Sequence, residues 1–466
     1  MYDVAVIGAG PGGYVAAIRC AQLGLRTICI DDREKDGKAA LGGTCLNVGC
    51  IPSKALLESS EHFEKAKLDF ALHGISTGEM SIDLAVMQKR KQQIVDAHTS
   101  GIAFLFRKNG VESMLGRARI ASAGESCSIE VSGKRIETAH VIIATGSSPR
   151  TIEGIPFGEK IVDSTGALAF RAIPEKLGIV GAGVIGLELG SIWRRLGSDV
   201  TLFDALPDFL PLADQSISKE ALRIFRKQSG WRIRLGTRLI SAEEHEDGVA
   251  VKFEENGKAV EEKFERLIVA VGRTPNSQDI AHPSLNLDID ERGFIAVDER
   301  CKTSLKNVYA IGDVAGGAML AHKASEEGVM VAESIAGSKP VHDASLVPNV
   351  IYTDPEIAWV GKTESQLRKE GIEYRIGQFP FSANGRARVI GSAQGFVKML
   401  AEADTDRLLG VHIIGPQASE LISEAVLSLA FSASSEDIGC TIHAHPTLSE
   451  ALREAALAVT ARALHI

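Results

Sequence analysis

The sequence predicts an α/β protein with two copies of one strand–turn–helix–strand unit and a separate α+β region at its C-terminal end. The first copy starts with the β-rich run Tyr2–Ile7 and ends at Asp31, after a glycine-rich turn, a helix pattern and a second apolar strand. The second copy runs from Lys176 to Asp204 in the same register. After about residue 345 the pattern changes to shorter alternating strands and amphipathic helices.

Length and composition exclude several classes of protein. The chain has 466 residues, which at about 150 residues a domain suggests roughly three domains. Its 51 basic and 60 acidic residues give a net charge of −9, which argues against a nucleic-acid partner. No apolar run reaches the roughly 18 residues of a membrane-spanning helix, and no basic-then-apolar leader follows Met1. The 7 cysteines do not form the pattern of a secreted disulfide framework, so we expect a soluble cytoplasmic protein.

The turn of the first copy has the spacing of a dinucleotide-binding fingerprint, with glycines at Gly8, Gly10 and Gly13. The first glycine permits a tight turn, the second lets backbone amides approach a pyrophosphate, and the third allows close helix–strand packing. The start of the next helix then faces the phosphate charge, and Asp31 can accept hydrogen bonds from a ribose. A plain glycine-rich turn is the alternative, but the helix pattern over residues 14–23 and the position of the acid favour the dinucleotide site.

The second copy repeats the fingerprint at Gly181, Gly183 and Gly186, and its acid, Asp204, follows the first turn glycine by the same 23 positions. A carboxylate there repels the extra phosphate of NADP, so Asp204 favours NAD; a strand-end turn residue is the alternative. Further apolar runs end in glycine at 141–146, 267–272 and 308–312. From these runs we predict domains over residues 1–148, 149–273, 274–345 and 346–466.

Cys45 and Cys50 lie close together in one loop. In a regular helix five residues rise about 7.5 Å, whereas a disulfide rarely tolerates Cα atoms more than about 7 Å apart. A bridge between them needs a distorted turn, which Gly49 permits, and such a strained bridge is easily reduced. A helix that starts near Pro52 would favour a Cys50 thiolate, with Lys54 as a cationic neighbour. A metal pair or two structural thiols are the alternatives, although this loop contains no further metal ligands.

His445 and Glu450 form a third candidate group. An imidazole oriented by a carboxylate can accept a thiol proton near neutral pH. The structural alternative is strong, because Thr447 and Glu450 have the spacing of a capping box that opens the last helix, predicted over residues 449–464. His445 would then be a surface-loop residue. Glu450 can serve both purposes only if its two carboxylate oxygens divide them.

Three segments resemble the pyridine nucleotide-disulfide oxidoreductase family, and the resemblance covers essentially the whole chain. They are GGTCLNVGCIPSK at 42–54, YAIGDV at 309–314 with MLAHKA at 319–324, and HPT at 445–447 through Glu450. The resemblance implies Rossmann-like FAD-binding and NAD-binding domains, followed by an α+β C-terminal dimerisation domain. It also implies a homodimer in which His445 and Glu450 complete the disulfide site of the other subunit.

The resemblance gives a role to each candidate residue. Cys45 and Cys50 would form the redox disulfide, Lys54 would lie near the flavin, and Glu188 would flank the path of the nicotinamide. The implied catalytic residues are Cys45, Cys50, Lys54, His445 and Glu450. Those implied for FAD are Gly8, Gly10, Gly12, Gly13, Asp31, Gly43, Thr44, Lys54, Gly116, Thr145, Gly146, Asp313, Met319, Leu320, Ala321 and His322. Those implied for NAD are Gly181, Gly183, Gly186, Glu188, Asp204 and Gly272, and no metal is expected.

The implied activity is oxidation of protein-bound dihydrolipoamide to lipoamide, with electrons passing through the Cys45–Cys50 disulfide and FAD to NAD. Because no lipoyl-type domain precedes Met1, we expect the lipoyl domains of a 2-oxoacid dehydrogenase or glycine cleavage complex as partners. Glutathione and mercuric reductase activities are close alternatives. Asp204 disfavours the first, and the lack of extra cysteine pairs at the termini disfavours the second. A non-catalytic scaffold subunit is a further alternative, which the retained cysteines and His445 disfavour.

The sequence departs from the family pattern at three places. Both ribose acids, Asp31 and Asp204, replace the more common glutamate, and we expect the shorter side chain still to reach. Asp354 replaces a usual histidine, in a segment for which we expect no catalytic role. Residues 32–40 form a slightly longer connection than usual, for which the sequence suggests no function.

Overall fold

The computed structural model describes residues 1–35, 37–255, 257–340 and 343–466. The chain divides into two compact units. Unit 1 comprises Met1–Leu56, Ala85–Arg150 and Gly272–His342, and unit 2 comprises Leu57–Leu84, Thr151–Val271 and Asp343–Ile466. Each unit combines segments of several predicted domains, and the four predicted domains stay predictions.

Helices and short strands alternate along most of the chain. The α-helices are α1 (Pro11–Gln22), α2 (Gly43–Val48), α3 (Cys50–Leu68), α4 (Leu84–Asn109), α5 (Ser164–Ala167), α6 (Val184–Leu196), α7 (Gln215–Lys227), α8 (Ala321–Ile335), α9 (Glu364–Glu370), α10 (Gly385–Val389), α11 (Ala418–Ala430), α12 (Ser435–Cys440) and α13 (Glu450–Ala458). The strands are β1 (Tyr2–Ile7), β2 (Thr27–Asp31), β3 (Glu34–Lys35), β4 (Lys38–Ala39), β5 (Glu112–Leu115), β6 (Ala118–Ser122), β7 (Cys127–Val131), β8 (Lys134–Ile143), β9 (Ser147–Pro149), β10 (Ile161–Val162), β11 (Lys176–Val180), β12 (Asp199–Phe203), β13 (Trp231–Arg234), β14 (Leu239–His245), β15 (Gly248–Glu255), β16 (Lys258–Phe264), β17 (Arg266–Val269), β18 (Arg273–Pro275), β19 (Val308–Ala310), β20 (Asn349–Ile351), β21 (Glu356–Gly361), β22 (Tyr374–Pro380), β23 (Phe396–Glu402) and β24 (Leu408–Gly415). None of the helices in the described part of the chain has the length and hydropathy of a membrane-spanning segment.

The main sheet of unit 1 confirms the first predicted strand–turn–helix–strand unit. Its strand order is β5-β2-β1-β8-β7-β6, with β19 also paired to β8, and β1 pairs in parallel with β2 and β8. Helix α1 starts at Pro11, earlier than predicted, because Gly10 takes the N-cap position and a proline suits the first helical turn. The carboxyl ends of β1, β2 and β8 meet at one sheet edge, which is where the glycine turn at 8–13 lies.

Unit 2 contains the second copy and the C-terminal sheet. The parallel sheet has the order β10-β17-β11-β12-β13, and α6 follows β11 as predicted, while β14, β15 and β16 form a separate antiparallel sheet. The C-terminal sheet, β20-β21-β24-β23-β22, is antiparallel throughout. Its inner face packs with α11 and α13 into one apolar core that includes Phe379, Val397, Ile413, Ile422 and Leu452. This confirms the predicted change of pattern after residue 345.

The last helix is shorter than the sequence predicts. Helix α13 ends at Ala458, whereas the amphipathic pattern extends to residue 464. Ala461 has a positive φ of 57°, which a right-handed helix cannot accommodate. The Glu454 carboxylate then accepts hydrogen bonds from the Leu464 amide at 2.8 Å and from His465 Nδ1 at 2.8 Å. The tail therefore folds back onto its own helix instead of extending it.

Unit 2 contains a buried ionic network that the sequence does not predict. Lys398 on β23 is buried, and its Nζ donates hydrogen bonds to Asp214 Oδ1 at 2.7 Å and to the Glu364 carboxylate. Burial raises the pKa of Asp214, but the Lys398 ammonium and the Ser216 hydroxyl outweigh it and hold that pKa below the ordinary range. His412 lies opposite Lys398 on β24, and burial lowers the pKa of its imidazole to about 4. These partners are far apart in sequence, so no local pattern marks the network.

We expect the substitution His412→Gln to reduce the acid sensitivity of the fold. A histidine in an unfolded chain has a pKa of ~6.5, so between this pH and the folded pKa the unfolded chain binds a proton that folded His412 does not. Stability that is present above this pH is therefore lost as the pH falls towards about 4. The apparent thermal midpoint should fall less steeply across this window in His412→Gln than in the parent chain. His98→Gln, at an exposed position on α4, is the control, and equal slopes in both variants would contradict the assignment.

Candidate active site

A break between two helices brings the two candidate cysteines together. Helix α2 ends at Val48 and α3 begins at Cys50, with Gly49 between them at φ −134° and ψ −112°. A Cβ on Gly49 would lie 2.9 Å from the Thr44 carbonyl oxygen, so this turn requires glycine. The turn lets the half-buried Cys45 thiol donate a hydrogen bond to the side chain of Cys50. The distorted turn that the sequence predicts at Gly49 is therefore present, and the structure shows the two cysteines as a dithiol.

The two sulfur atoms have different electrostatic surroundings. The hydrogen bond to Cys50 and burial raise the pKa of Cys45 far above its ordinary range, against the opposing charge of Lys54. Cys50 is more exposed and is the first residue of α3, where the helix N-terminus favours an anion. The dithiol can therefore hold a proton on Cys45 while Cys50 carries the negative charge.

The first glycine turn has the close approaches that its fingerprint requires. Gly8 has a φ of +104°, and an added Cβ would lie 2.2 Å from the Ala144 carbonyl oxygen. A Cβ on Gly13 would lie 1.8 Å from the Gly8 carbonyl oxygen, so strand and helix pack in direct backbone contact. Beside Gly10 there is space, because the nearest atom to an added Cβ is 4.0 Å away. The turn therefore leaves room for a phosphate group at the start of α1, which fits FAD.

Both ribose acids are tied to their glycine turns in the same way. Asp31 Oδ2 accepts a hydrogen bond from the Ala9 amide at 2.6 Å, and Asp204 Oδ2 accepts one from the Ala182 amide at 2.7 Å. In each copy the other carboxylate oxygen accepts from the amide two residues later, at 2.8 Å. Burial raises the pKa of Asp31, and its two amide partners oppose that rise. An ionised carboxylate has further lone pairs, so each aspartate can still accept from a ribose hydroxyl.

The loop that carries the dithiol lies against the first glycine turn. An added Cβ on Gly43, which has a φ of +58°, would lie 2.5 Å from the Cα atom of Gly10. Gly116 is at the same edge of the sheet, since its amide donates to the Asp31 carbonyl at 2.9 Å. Unit 1 thus brings together residues from four of the predicted FAD segments.

The remaining predicted FAD residues surround β9 and the start of α8. Asp313 accepts a hydrogen bond from the Ser147 hydroxyl, and Arg273 donates to that same hydroxyl at 2.6 Å. Thr145 donates from Oγ1 to the Asn276 carbonyl at 2.7 Å, which fixes the residue before Gly146. Met319, Leu320, Ala321 and His322 form the entry into α8, which begins at Ala321.

Two buried charges support this entry and were not predicted. Lys323 Nζ lies 2.7 Å from Glu327 Oε1 and donates to the Gly316 carbonyl at 2.7 Å. Glu327 Oε2 accepts from the Gly312 amide at 2.8 Å. An i, i+4 lysine–glutamate pair usually lies on an exposed helix face, so this spacing does not predict a pair buried inside unit 1.

The predicted NAD residues lie in unit 2, except that Gly272 begins the third segment of unit 1. The second turn is as open as the first, since no described atom lies within 4 Å of a Cβ added to Gly183. Glu188 is buried in α6, and its Oε1 accepts from the Tyr352 amide at 3.1 Å. The backbone carbonyl of Asp354 accepts from Gln228 Nε2 at 2.8 Å, and burial raises the pKa of its carboxyl group.

The candidate base is exposed and oriented by its carboxylate. The His445 side chain is 78% exposed, and its Nδ1 lies 2.9 Å from Glu450 Oε1. Glu450 Oε2 accepts from the Thr447 amide at 2.8 Å, so the two oxygens divide the two tasks. Burial raises the pKa of Glu450, but the Thr447 amide and His445 outweigh it and keep that pKa below the ordinary range. The ring therefore has Nε2 available to accept a proton.

The predicted capping box is only half present. The Glu450 carboxylate meets the Thr447 amide, but the Thr447 hydroxyl donates to the Ala444 carbonyl at 2.7 Å. Helix α13 begins at Glu450 itself, with Ser449 as its N-cap. The predicted cap is therefore wrong in its second half, because the hydroxyl instead closes the turn that follows Ala444.

We expect Gly43→Ala to lower the bound flavin several-fold, because the added Cβ would push the dithiol loop away from the first glycine turn. Gly74→Ala is the matched control: its φ is +72°, and no described atom lies within 4 Å of the added Cβ. Flavin absorbance of the purified variants measures the effect, with circular dichroism to compare their folding. Equal flavin content in the two variants would show that the close approach is dispensable.

Comparison with known proteins agrees with this geometry. Residues 2–328 match the family described as pyridine nucleotide-disulphide oxidoreductase, and residues 347–456 match its dimerisation domain. The dihydrolipoyl dehydrogenase of Cupriavidus necator is 54% identical over 100% of this chain and 99% of the relative. The mitochondrial dihydrolipoyl dehydrogenase of Sus scrofa is 47% identical over 98% and 90%.

Solved structures show the same fold. LpdA from Mycobacterium tuberculosis superposes with a TM-score of 0.88 at 25% identity, over 97% of this chain and 99% of that one. The HOCl-induced flavoprotein disulfide reductase RclA from Escherichia coli gives a TM-score of 0.84 at 27% identity, over 97% and 99%. Because the chain is 54% identical to a dihydrolipoyl dehydrogenase over its full length and matches both domain models, it belongs to the pyridine nucleotide-disulphide oxidoreductase family.

Proposed function

We propose that the protein catalyses the dihydrolipoyl dehydrogenase reaction, in which a dihydrolipoyl group is oxidised and NAD is reduced. The observation that carries the proposal is the 54% identity to a dihydrolipoyl dehydrogenase over the full chain. The site supports it, since Cys45 and Cys50 are hydrogen-bonded neighbours and His445 is oriented by Glu450. Asp204 at the end of β12 supports NAD over NADP.

The first half of the reaction is thiol–disulfide exchange at the oxidised Cys45–Cys50 pair. One substrate thiol gives its proton to His445 Nε2, and its sulfur attacks Cys45 while the bond to Cys50 breaks. The second substrate thiol then loses its proton and attacks the first substrate sulfur, which releases the cyclic lipoyl disulfide. The bond from the first substrate sulfur to Cys45 breaks in this step; of the two substrate protons, one ends on the Cys45 thiol and the other leaves through His445 to solvent, and Cys50 keeps the negative charge. The contact of the Cys45 thiol with the Cys50 side chain supports this distribution of proton and charge.

The glycine turns and their acids would hold the cofactors. The turn at 8–13, Asp31 and Asp313 would hold FAD, and the turn at 181–186 with Asp204 would hold NAD. Bound FAD and NAD supply the redox chemistry that carries the electron pair from the dithiol to the pyridine nucleotide. The role of the protein in this transfer is to hold the Cys50 thiolate close to the FAD site and to keep Cys45 protonated.

We propose a homodimer in which His445 and Glu450 of one subunit complete the dithiol site of the other. The match of residues 347–456 to a dimerisation domain supports it. Leu427 on α11, Phe431 just after this helix and Ile442 are large exposed apolar side chains that a partner subunit would cover. We also propose that each subunit has four domains, at residues 1–148, 149–273, 274–345 and 346–466.

We propose that the substrate is carried on the lipoyl domain of a partner, within a 2-oxoacid dehydrogenase or glycine cleavage complex. The full-length identity to a dihydrolipoyl dehydrogenase supports this proposal. An exposed His445 suits a substrate that arrives at the end of a protein-borne arm. The proposed compartment is the cytoplasm.

We expect the purified holoenzyme to reduce NAD rapidly with dihydrolipoamide and to be slow with NADP. Cys50→Ser should abolish this turnover, because no thiolate can then receive the bond electrons, whereas Cys440→Ser, at an exposed cysteine on α12, should leave it unchanged. Steady-state rates with each nucleotide test this, together with an assay of NADPH and glutathione disulfide. Fast glutathione turnover would replace the proposed substrate, and appreciable dihydrolipoamide turnover by Cys50→Ser would remove Cys50 from the mechanism.

We expect His445→Gln to retain flavin and to lose most dihydrolipoamide turnover, because the base is missing. Co-expressing His445→Gln with Cys50→Ser then tests the shared site. If the base acts on the partner, each mixed dimer keeps one intact site, and random assembly restores about a quarter of the wild-type activity. If the base acts within its own chain, every site carries one lesion and the mixture stays inactive.

A further inference from the structure

A second histidine–glutamate pair lies next to the candidate base. The His443 side chain is only 5% exposed, although it stands between the exposed Ile442 and His445. Its Nε2 lies 2.8 Å from Oε1 of Glu424, which is on α11. Its Nδ1 lies 2.9 Å from the Thr441 carbonyl oxygen. The ring therefore ties the segment before α13 to a different helix.

Both partners of this ring are acceptors. A carbonyl oxygen cannot donate, and a carboxylate cannot donate unless it is protonated. A neutral imidazole has one N–H group, so it can donate to only one of these two partners. Both hydrogen bonds form together when the ring carries two protons and faces an ionised Glu424. The pair is then a charged link, which is stronger than a neutral hydrogen bond.

The segment that His443 holds is irregular. Residues 441–449, between α12 and α13, contain no helix or strand. Other described hydrogen bonds also tie this segment to its surroundings. The Thr441 hydroxyl donates to the Asp437 carbonyl at 2.7 Å, Asn384 Nδ2 donates to the Thr447 carbonyl at 3.0 Å, and the Glu450 carboxylate meets His445 and the Thr447 amide. The His443 ring is the anchor that ties the chain just before His445 to α11.

We propose that His443 and Glu424 are positioning residues, which fix the irregular segment so that His445 meets the dithiol in a productive orientation. The inference rests on the proposed function, because it assumes that His445 is the base. The His443 side chain is buried and does not reach the substrate, so His443 acts through His445. Glu450 sets the rotation of the His445 ring, and the His443–Glu424 pair fixes the position of the backbone that carries this ring.

The first test is His443→Phe, which removes both hydrogen bonds and keeps a ring of similar size. The kcat with dihydrolipoamide should fall about tenfold or more, since a small misplacement of a reacting group costs up to ~100-fold. NADH-dependent reduction of an artificial dye needs bound flavin but not the base, and it should stay within about twofold of wild type. A kcat within about twofold of wild type would overturn the proposal, and so would a variant that is monomeric by size-exclusion chromatography.

A double variant separates positioning from a general structural role. If His443 acts through His445, adding His443→Phe to His445→Gln should cause no further loss of dihydrolipoamide turnover. An additional tenfold loss would mean that His443 acts independently, and it would overturn the inference. Glu424→Gln keeps an acceptor for the ring, so it should retain more turnover than Glu424→Ala; equal losses would also count against it. Failure of the proposed function is recognised separately, because the wild-type protein would then not oxidise dihydrolipoamide.

Discussion

The close backbone approach at the first glycine turn is the constraint on which the proposed redox site depends. A Cβ on Gly13 would come within 1.8 Å of the Gly8 carbonyl oxygen, and one on Gly43 within 2.5 Å of the Gly10 Cα atom. The first contact packs the start of α1 directly against the end of β1. The second packs the loop that carries Cys45 and Cys50 directly against the glycine turn. The same glycines that open a phosphate site therefore also position Cys45. One packing requirement joins cofactor binding to thiol chemistry.

Much of the fold followed from local patterns. The paired fingerprints predicted both parallel-sheet units, because strand, glycine turn, helix and acid occupy one short stretch of chain. The break at Gly49 was also predictable, since two cysteines five positions apart cannot meet within a regular helix. The end of α13 was not predictable, because the amphipathic pattern continues past Ala458 into the tail. The helix ends there because the tail turns back and the Leu464 amide donates to Glu454.

The missed features share one cause, which is that their partners lie far apart in the sequence or contradict a local expectation. Lys398 reaches Asp214 across 184 positions, and nothing near either residue indicates the other. Lys323 and Glu327 have the spacing of an exposed helical pair, yet both are buried. Periodicity predicts which face of an element is apolar, but it does not predict which charges are paired inside.

Three histidine–carboxylate pairs in unit 2 show why a motif alone does not assign a base. His445, His443 and His465 each place one ring nitrogen 2.8–2.9 Å from a glutamate oxygen. His443 is buried with acceptors on both nitrogens, so it has no free position for a substrate proton. The glutamate partner of His465 also receives two backbone amides that fold the tail back onto α13. Burial and two acceptors thus exclude His443 as the base, and the backbone amides on Glu454 assign His465 to the fold of the tail, which leaves His445.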